Sequence, residues 1–535
     1  MNLRLKNYNY ILPGIFTASI ILLIITICLY GFRKYYNLDL FINIIDDSYV
    51  QRLVIFTIFQ AGLSTIVSIL IAIPFALTIS KYLKYTFTRA ILSLAWLAFV
   101  SPVIIGVFAI INIHGASGWI SNISLFFGGE RLKYLYGLNG IIIAHIFFNA
   151  PFAMRNILIS LNNTPKELLK VSSQYNFSKW DMFRVIQWPA IRANLFPTAA
   201  IIFSLCFTSF IVVLILGGGP KYSILEVAIY YSLKIEFDID RAVSLGILQI
   251  FTASLLVLII VSFSKKIIIE PYTKIKFQII SEISAKNILL DILVLIIAIL
   301  IFFIPIIGLL ISAITSITLS NILNPDLGIS LFWSLVLGMS SGLLSLFFSI
   351  MLLITIRELA IAYRVKWVGK LLELSGNIIL ILPPVLLGTG LFLSLRNYFN
   401  VQEIAPIIIV TINCLTTIPF VLRILGPEYL RISELHHKLF ISYNIYGLVR
   451  FHKYEYPHIK QAMGIALAVS VTLSIGDLGV ISLFGSTEIK TLPLYIYQCL
   501  GSYRMNDAAA GIAVLLSITL IIIYGIEYLF RNIDD

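Results

Sequence analysis

Long runs of apolar residues separated by short polar connections dominate this chain. About twelve of them are long enough to cross a hydrocarbon core of roughly 30 Å as a helix that rises ~1.5 Å per residue. They lie near residues 11–32, 54–80, 87–113, 138–160, 190–216, 243–264, 288–315, 330–356, 372–394, 403–425, 460–484 and 508–530. The runs are longer than barrel strands of about ten residues and do not alternate in polarity. The pattern therefore predicts an all-α membrane protein with about twelve transmembrane helices.

Basic residues are concentrated in alternate connections between these runs. They lie in the N-terminal segment, with Arg4 and Lys6, and in the connections 81–89, 166–192, 265–286, 357–370 and 431–460. Connections rich in Lys and Arg stay on the cytoplasmic side of a membrane, although Arg33 and Lys34 fall on the other side. The charge pattern predicts a multi-pass protein with both termini in the cytoplasm.

Composition supports a bilayer protein and argues against several other functions. The 535 residues are 59% hydrophobic and 12% charged, with a mean hydropathy of +0.98. The net charge of +12 is explained by membrane orientation and anionic headgroups, so we expect the lipid bilayer and no nucleic acid as a partner. The sequence contains no G-x-x-x-x-G-K-[ST] nucleotide-binding loop, no nucleophile-and-base motif and no metal-ligand spacing among its Cys and His residues. We expect no enzymatic activity, metal or bound cofactor in this chain.

The chain also contains an internal repeat. Ser101-Pro102-Val103 recurs as Pro383-Pro384-Val385, and later landmarks recur at a slightly smaller spacing that then stays constant. Each copy contains six predicted spans, an even number, so the copies share one orientation and are parallel repeats. We divide the chain into a first half (1–264), a cytoplasmic linker (265–287) and a second half (288–535).

Within each half, one basic loop repeats both residue types and spacing. These loops are 161–189 and 427–457. The shared residues are Tyr175-Asn176, Phe183 and Trp188-Pro189 in the first copy, and Tyr443-Asn444, Phe451 and Tyr456-Pro457 in the second. Two copies of one docking element predict two copies of one partner.

The local sequence predicts a short helix in each loop. In the first copy Thr164 precedes Pro165 and Glu167, a helix-start signal with Thr164 as the cap. Leu168, Val171 and Tyr175 then share one face, and Asn176 can adopt the left-handed conformation that ends a helix. The second copy, from Ser433, places Leu435, Leu439 and Tyr443 in the same way. An apolar stripe on a short helix suits a groove in a soluble partner, although a helix pair that only caps the bundle would show the same pattern.

These loops resemble the characteristic cytoplasmic loop of ABC importer permeases, in which Glu-Ala-Ala is followed after three residues by Gly and later by an apolar residue and Pro. Asn176 and Asn444 stand at the Gly position, and Lys170 and Lys438 stand where the family has Glu. The resemblance implies a type I ABC importer permease fold. It also implies that the loops dock two copies of a separate ATPase chain, which binds the ATP.

Further stretches narrow the resemblance. Seven stretches are similar to the thiamine transport permease family, whose members are fused two-half proteins. They are Cys206–Phe210, Leu216–Pro220, Glu226–Tyr230 and Phe237–Ala242 in the first half, and Gly476–Gly479, Thr491–Tyr497 and Gly501–Arg504 in the second. This resemblance covers nearly the whole chain. It implies thiamine as substrate, a periplasmic thiamine-binding protein as partner and a location in the bacterial inner membrane. Ferric-iron ABC permeases share the fused architecture and are the alternative on substrate.

Four residues are candidates for the substrate pathway between the halves. Asp477 is a carboxylate within an apolar run, which usually faces a bundle interior or cavity, or serves as a structural partner for a backbone N–H or a basic residue. Tyr230 and Tyr497 offer aromatic faces to a cationic ring system, or belong to an interfacial aromatic belt. Glu226 follows the helix-breaking Gly217–Pro220 in an outer segment that could also contact a binding protein.

Two other classes of protein also have many spans. A twelve-span secondary transporter has two parallel halves but needs coupling charges at the midplane and no duplicated docking loop. A non-transporting scaffold would show no solute-dependent cycle. We expect the membrane-spanning subunit of an ATP-driven importer.

Overall fold

The computed structural model describes residues 10–263, 288–316, 324–443, 445 and 447–530. Within these residues the chain forms helices and turns and no β-strand. In the first half the helices are α1 (Leu12–Lys34), α2 (Leu38–Asp46), α3 (Ser48–Tyr82), α4 (Thr86–Val100), α5 (Val103–His114), α6 (Trp119–Phe126), α7 (Leu138–Asn162), α8 (Lys166–Gln174), α9 (Lys179–Asp181), α10 (Trp188–Phe207), α11 (Phe210–Leu216), α12 (Leu225–Lys234) and α13 (Ile239–Phe263). In the second half they are α14 (Ile288–Ala298), α15 (Ile304–Ser316), α16 (Pro325–Arg357), α17 (Lys366–Asn377), α18 (Pro384–Leu395), α19 (Val401–Ser442), α20 (Gly447–Arg450), α21 (Tyr456–Ile475), α22 (Gly479–Phe484), α23 (Leu492–Gly501) and α24 (Met505–Phe530). The predicted linker, 265–287, lies outside the described residues.

The all-helical membrane architecture predicted from the sequence is confirmed. Eleven helical segments in the described residues are long and apolar enough to cross a membrane. The difference from the predicted number arises at 372–394, where α17 and the shorter apolar helix α18 replace one continuous span. Both basic loops lie at one end of the bundle, which we call the loop end.

Two predicted spans in each half are broken rather than continuous. The break between α4 and α5 falls at Ser101-Pro102, and the break between α17 and α18 ends at Pro383. Proline lacks the N–H that a continuing helix needs and disfavours helical geometry in the residue before it. The other two breaks separate α10 from α11 near Ser209 and α21 from α22 near Asp477, which are equivalent positions of the repeat. Broken spans expose backbone groups within the bundle, and such discontinuities line binding sites in many transporters.

The two halves are interlocked through the first span of each. α1 packs on α16 and α18 of the second half, and α15 packs on α5 of the first. Specific bonds join these surfaces: the Gly14 N–H donates to Thr355 Oγ1 at 2.8 Å, and Asn112 Nδ2 donates to the Gly308 carbonyl at 2.8 Å. Small residues allow the close approach, because a side chain at Gly31 would collide with the backbone of Gly390. The seam between the halves is thus held by helices exchanged across it.

Candidate functional site

The first repeated loop presents an exposed apolar stripe at the loop end. Leu168, Val171 and Tyr175 are 47%, 42% and 74% exposed along α8, while Ser172, at the edge of this face beside Leu168, is buried. Asn176 ends this helix with φ of 50°, the left-handed conformation that the sequence predicts there. The stripe is therefore exposed at the surface of the protein.

The predicted cap of α8 does not form. The helix begins at Lys166 after Pro165, which cannot cap through its side chain, and no capping hydrogen bond reaches the helix start. The Thr164 hydroxyl is buried and makes no hydrogen bond within the described part of the chain. The helix start is therefore set by the restricted backbone at Pro165 rather than by the capping box.

The second repeated loop has an equivalent exposed stripe, but it lies on the end of a long helix rather than on a short separate one. Leu435, Leu439 and Tyr443 are 64%, 53% and 74% exposed. They do not lie on a separate short helix that begins at Ser433, because α19 continues from the span to Ser442 without interruption. Position 433 corresponds to Pro165 of the first half. Serine imposes no proline restriction on the preceding residue, so the helix continues where α7 stops. Asn444, the predicted counterpart of Asn176, lies outside the described residues.

After the stripe, both loops return to the bundle through a π-helical turn. These turns are Met182–Gln187 and Phe451–Glu455, directly before α10 and α21. Pro189 and Pro457 occupy the first turns of those two helices and are exposed. Phe183 is half-buried, with its ring 5.8 Å from that of Trp180 and 6.0 Å from that of Trp188. Phe451 is half-buried at the equivalent place. The repeated residues thus occupy matching positions in two matching turns.

A buried ionic cluster, not predicted from the sequence, lies beneath the second loop. Arg357 Nη1 donates to both carboxylate oxygens of Glu455, at 2.7 and 2.6 Å, and to the Tyr429 hydroxyl at 2.7 Å. Its Nη2 donates to Glu358 at 2.6 Å, and Arg450 Nε donates to Glu455 at 2.8 Å. All five side chains are buried. Two positive and two negative charges balance, which is the condition for tolerating charge away from water.

The ionic cluster has no charged counterpart in the first loop. By the constant spacing of the two loops, the positions equivalent to Tyr429, Arg450 and Glu455 are Leu161, Met182 and Gln187. Only Gln187 is polar, and it is buried without charge. The sequence did contain a signal for this cluster, because Arg450 and Glu455 are charged where the first loop has uncharged residues. Their loop is rich in polar residues, however, so the sequence alone suggests that these charges face solvent. The two repeated loops differ in how they are attached to the bundle.

A cavity of about 370 Å³ adjoins the second stripe. It is lined by His436, Leu439, Phe440, Tyr443, Ile445, Tyr454 and His458. Its walls are chiefly apolar and aromatic, with histidine side chains among them. The cavity can accept an apolar side chain from a partner that sits on the stripe.

At the opposite end of the bundle, α12 and α23 are equivalent ten-residue helices of the two halves. Tyr230 and Tyr497 occupy the same position in the two helices. Tyr497 is close enough to Tyr230 and Tyr231 to interact electrostatically with both. The Tyr230 ring also packs edge to face on Phe210, with centroids 5.5 Å apart. The two candidate tyrosines are therefore neighbours across the seam between the halves.

The two candidate carboxylates also converge on the seam but differ in their bonding. Asp477 accepts hydrogen bonds from the N–H groups of Gly479 and Val480 at 3.2 and 3.1 Å, and thereby caps α22. Glu226 on α12 is buried, and neither of its oxygens has a hydrogen-bond partner within the described residues. Burial, together with the neighbouring Asp477 charge, raises the pKa of the Glu226 carboxyl to about 8.

A buried histidine lies at the corresponding break in the first half. His145 Nδ1 is 2.8 Å from Ser64 Oγ, and its Nε2 is 2.8 Å from Ser209 Oγ. Both ring nitrogens are engaged, so neither is directed at a ligand. Among the described residues, no three His, Cys, Asp or Glu side chains are grouped closely enough to hold a metal ion.

Two known relatives match most of this chain. It is 33% identical over 529 residues to the thiamine transport system permease protein ThiP of Escherichia coli, covering 97% of each chain. It is 35% identical over 497 residues to the ThiP protein of Haemophilus influenzae, covering 91% of this chain and 90% of the relative. The chain belongs to the thiamine transport system permease family. No family model matches the chain.

Family membership classifies the molecule as a multi-pass membrane permease, a transport subunit rather than an enzyme. The likeness to a putative ferric transport system permease protein of Haemophilus influenzae, FbpB 1, is weaker, at 27% identity over 220 residues and 40% of this chain. Since the thiamine permease relatives match both halves and all four helix breaks lie within the matched length, the two-repeat fold is that of the family.

Proposed function

We propose that this chain is the membrane-spanning subunit of an ATP-driven, binding-protein-dependent ABC importer that carries thiamine across the bacterial inner membrane. The observation that carries the proposal is identity of 33% and 35% to permeases named for thiamine transport, over 97% and 91% of the chain. The partial match to a ferric permease, over 40% of the chain, gives iron less support.

The repeated loops support an ATPase as the source of energy. Two exposed stripes at one end of the bundle, Leu168 to Tyr175 and Leu435 to Tyr443, suit two copies of one soluble ATPase subunit. ATP is bound on that partner, and this chain binds no cofactor of its own. Both termini lie in the cytoplasm in this proposal, on the same side as the docking loops.

The seam supports the route taken by the substrate. Tyr230 and Tyr497 approach each other from the two halves, with Glu226 and Asp477 beside the helix breaks. A periplasmic thiamine-binding protein delivers its ligand at the end opposite the docking loops. ATP binding and hydrolysis on the partner then alternate the access of the seam between the two sides.

The proposal is tested by uptake into proteoliposomes that contain this chain with its ATPase and binding protein. We expect uptake of radiolabelled thiamine to require ATP and to continue when the proton gradient is collapsed with ATP held constant. Uptake driven by a proton or sodium gradient without the ATPase would identify a secondary transporter. Ferric uptake without thiamine uptake would refute the substrate and leave the architecture unchanged.

A further inference from the structure

Glu226 is unusual among the carboxylates of this protein. It is 1% exposed, and neither of its oxygens makes a full hydrogen bond within the described residues, although the Val385 N–H lies close enough to favour its charged form. A buried carboxylate without partners costs several kcal/mol when it is charged. Buried carboxylates with few partners are found at functional sites, where the charge acts in another conformation of the protein.

The surroundings of Glu226 come from both halves. The N–H of Val385, at the start of α18, and the Asp477 carboxylate are near enough to act on its charge. Asp477 is already held by two N–H groups of α22. Asp477 thus accepts two full hydrogen bonds, whereas Glu226 is approached only by the Val385 N–H, so Glu226 is the seam carboxylate with more capacity to bind a ligand.

Aromatic rings complete the surroundings. Tyr230 lies four residues after Glu226 on α12, hence on the same face of the helix, and Tyr497 approaches it from α23 of the other half. A carboxylate with aromatic faces is the arrangement that binds organic cations in water-poor sites. The position equivalent to Glu226 in the second half is Pro493, so this combination occurs once in the repeat.

We propose that Glu226, together with Tyr230 and Tyr497, forms a subsite for an organic monocation on the seam, and that the Glu226 carboxylate makes the permease select charged over neutral forms of its substrate. The proposal rests on the proposed function, in which the seam is the transport route. When the halves part, the cationic ring of the substrate enters between the two tyrosines and pairs with the carboxylate. The selection is made by the membrane subunit, independently of any selection by the binding protein.

The test compares thiamine with a neutral analogue in which thiophene replaces the thiazolium ring. Full transport complexes carrying wild-type chain, Glu226→Gln, Asp477→Asn or Glu236→Gln are reconstituted, and each compound is supplied at a concentration that saturates the binding protein. Gln keeps the shape of Glu and removes the charge. Glu236, exposed just after α12, receives the same substitution as a control.

We expect Glu226→Gln to lower the thiamine-to-analogue ratio of uptake rates at least tenfold, chiefly by slowing thiamine, and the two other variants to change the ratio less than threefold. Equal slowing of both compounds, or an unchanged ratio, in Glu226→Gln would show a merely structural carboxyl and refute the inference. A complex in which even wild-type chain takes up no thiamine would refute the proposed function itself, which is a different result.

Discussion

Glu455 accepts hydrogen bonds from Arg357 at 2.6 and 2.7 Å in a place where neither side chain reaches solvent. The pair joins the end of α16 to the π-helical turn of the second repeated loop. At the equivalent turn of the first half stands Gln187, which carries no charge. One loop is therefore fixed to the bundle by buried ions, whereas the other is attached by neutral packing.

Glu455→Ala should lower the free energy of unfolding by about 3–5 kcal/mol, since it leaves the buried Arg357 and Arg450 with one carboxylate between them. The matched change in the first loop, Gln187→Ala, should cost about 1 kcal/mol. Thermal midpoints of the purified chain in detergent measure both. The double variant Arg450→Met/Glu455→Met restores charge balance and should recover more than half of the loss. Equal destabilisation by Glu455→Ala and Gln187→Ala would contradict this account.

Leu168→Asp combined with Leu435→Asp should stop association with the ATPase while the chain still inserts in the membrane, because a carboxylate on each stripe would have to be desolvated in the interface. Co-purification from solubilised membranes measures the association. Ser173→Asp with Ile441→Asp is the control, since these two exposed residues are equivalent positions of the two loops and lie on the face of their helices away from the stripes. ATPase recovery at wild-type yield with the Leu168 and Leu435 changes would show that the stripes are not the docking surface.

Asn176→Val should weaken ATPase binding about fivefold to thirtyfold, because φ of 50° costs a β-branched residue about 1–2 kcal/mol. Asn176→Gly should bind as tightly as the wild type, since glycine enters this region freely. Titration of the reconstituted permease with purified ATPase measures the affinities. Similar weakening by both changes would point to the Asn side chain itself rather than the backbone.

Asp477→Ala should reduce thiamine uptake per molecule of permease in the membrane much more than Asp477→Asn, because Asn still caps α22 and Ala loses about 1 kcal/mol of capping. Uptake is normalised to the amount of chain detected in the membrane. If Asn and Ala reduce uptake equally, the charge of Asp477 and not its cap supports transport.

Much of the fold could be predicted from apolar run length and from the repeat, since bilayer thickness imposes the length and the constant spacing of the copies identifies equivalent positions. The continuity of individual spans could not. Pro102 and Pro384 signal two breaks. Ser209 contacts His145 only in the folded bundle, and Asp477 caps α22 through nearby N–H groups, although its position in an apolar run does not by itself signal a break. The continuation of α19 into the second repeated loop could have been predicted, because Ser433 stands at the position of Pro165.

In the candidate sites too, local features could be predicted from the sequence, whereas contacts between distant residues could not. Exposure of Leu168 and Leu435 on equivalent stripes could be predicted because helical periodicity is local. The ionic cluster could not, since Arg357 lies 98 residues from Glu455 and no periodic pattern joins them. The pairing of Tyr230 with Tyr497 needed the arrangement of the two halves. The different hydrogen bonding of Glu226 and Asp477 depends on where backbone N–H groups point, and the order of side chains in the sequence does not show this.

The exchange of first spans between the halves has a consequence for biosynthesis. Asn112 on α5 donates to the Gly308 carbonyl, which is synthesised 196 residues later. At about 5–20 residues per second, that face of α5 waits roughly 10–40 s for its partner. During this interval the polar amide of Asn112 is presented to lipid or to the insertion machinery. The first half therefore enters the membrane without one of its packing partners, and its contact surface stays unpaired until the second half is inserted.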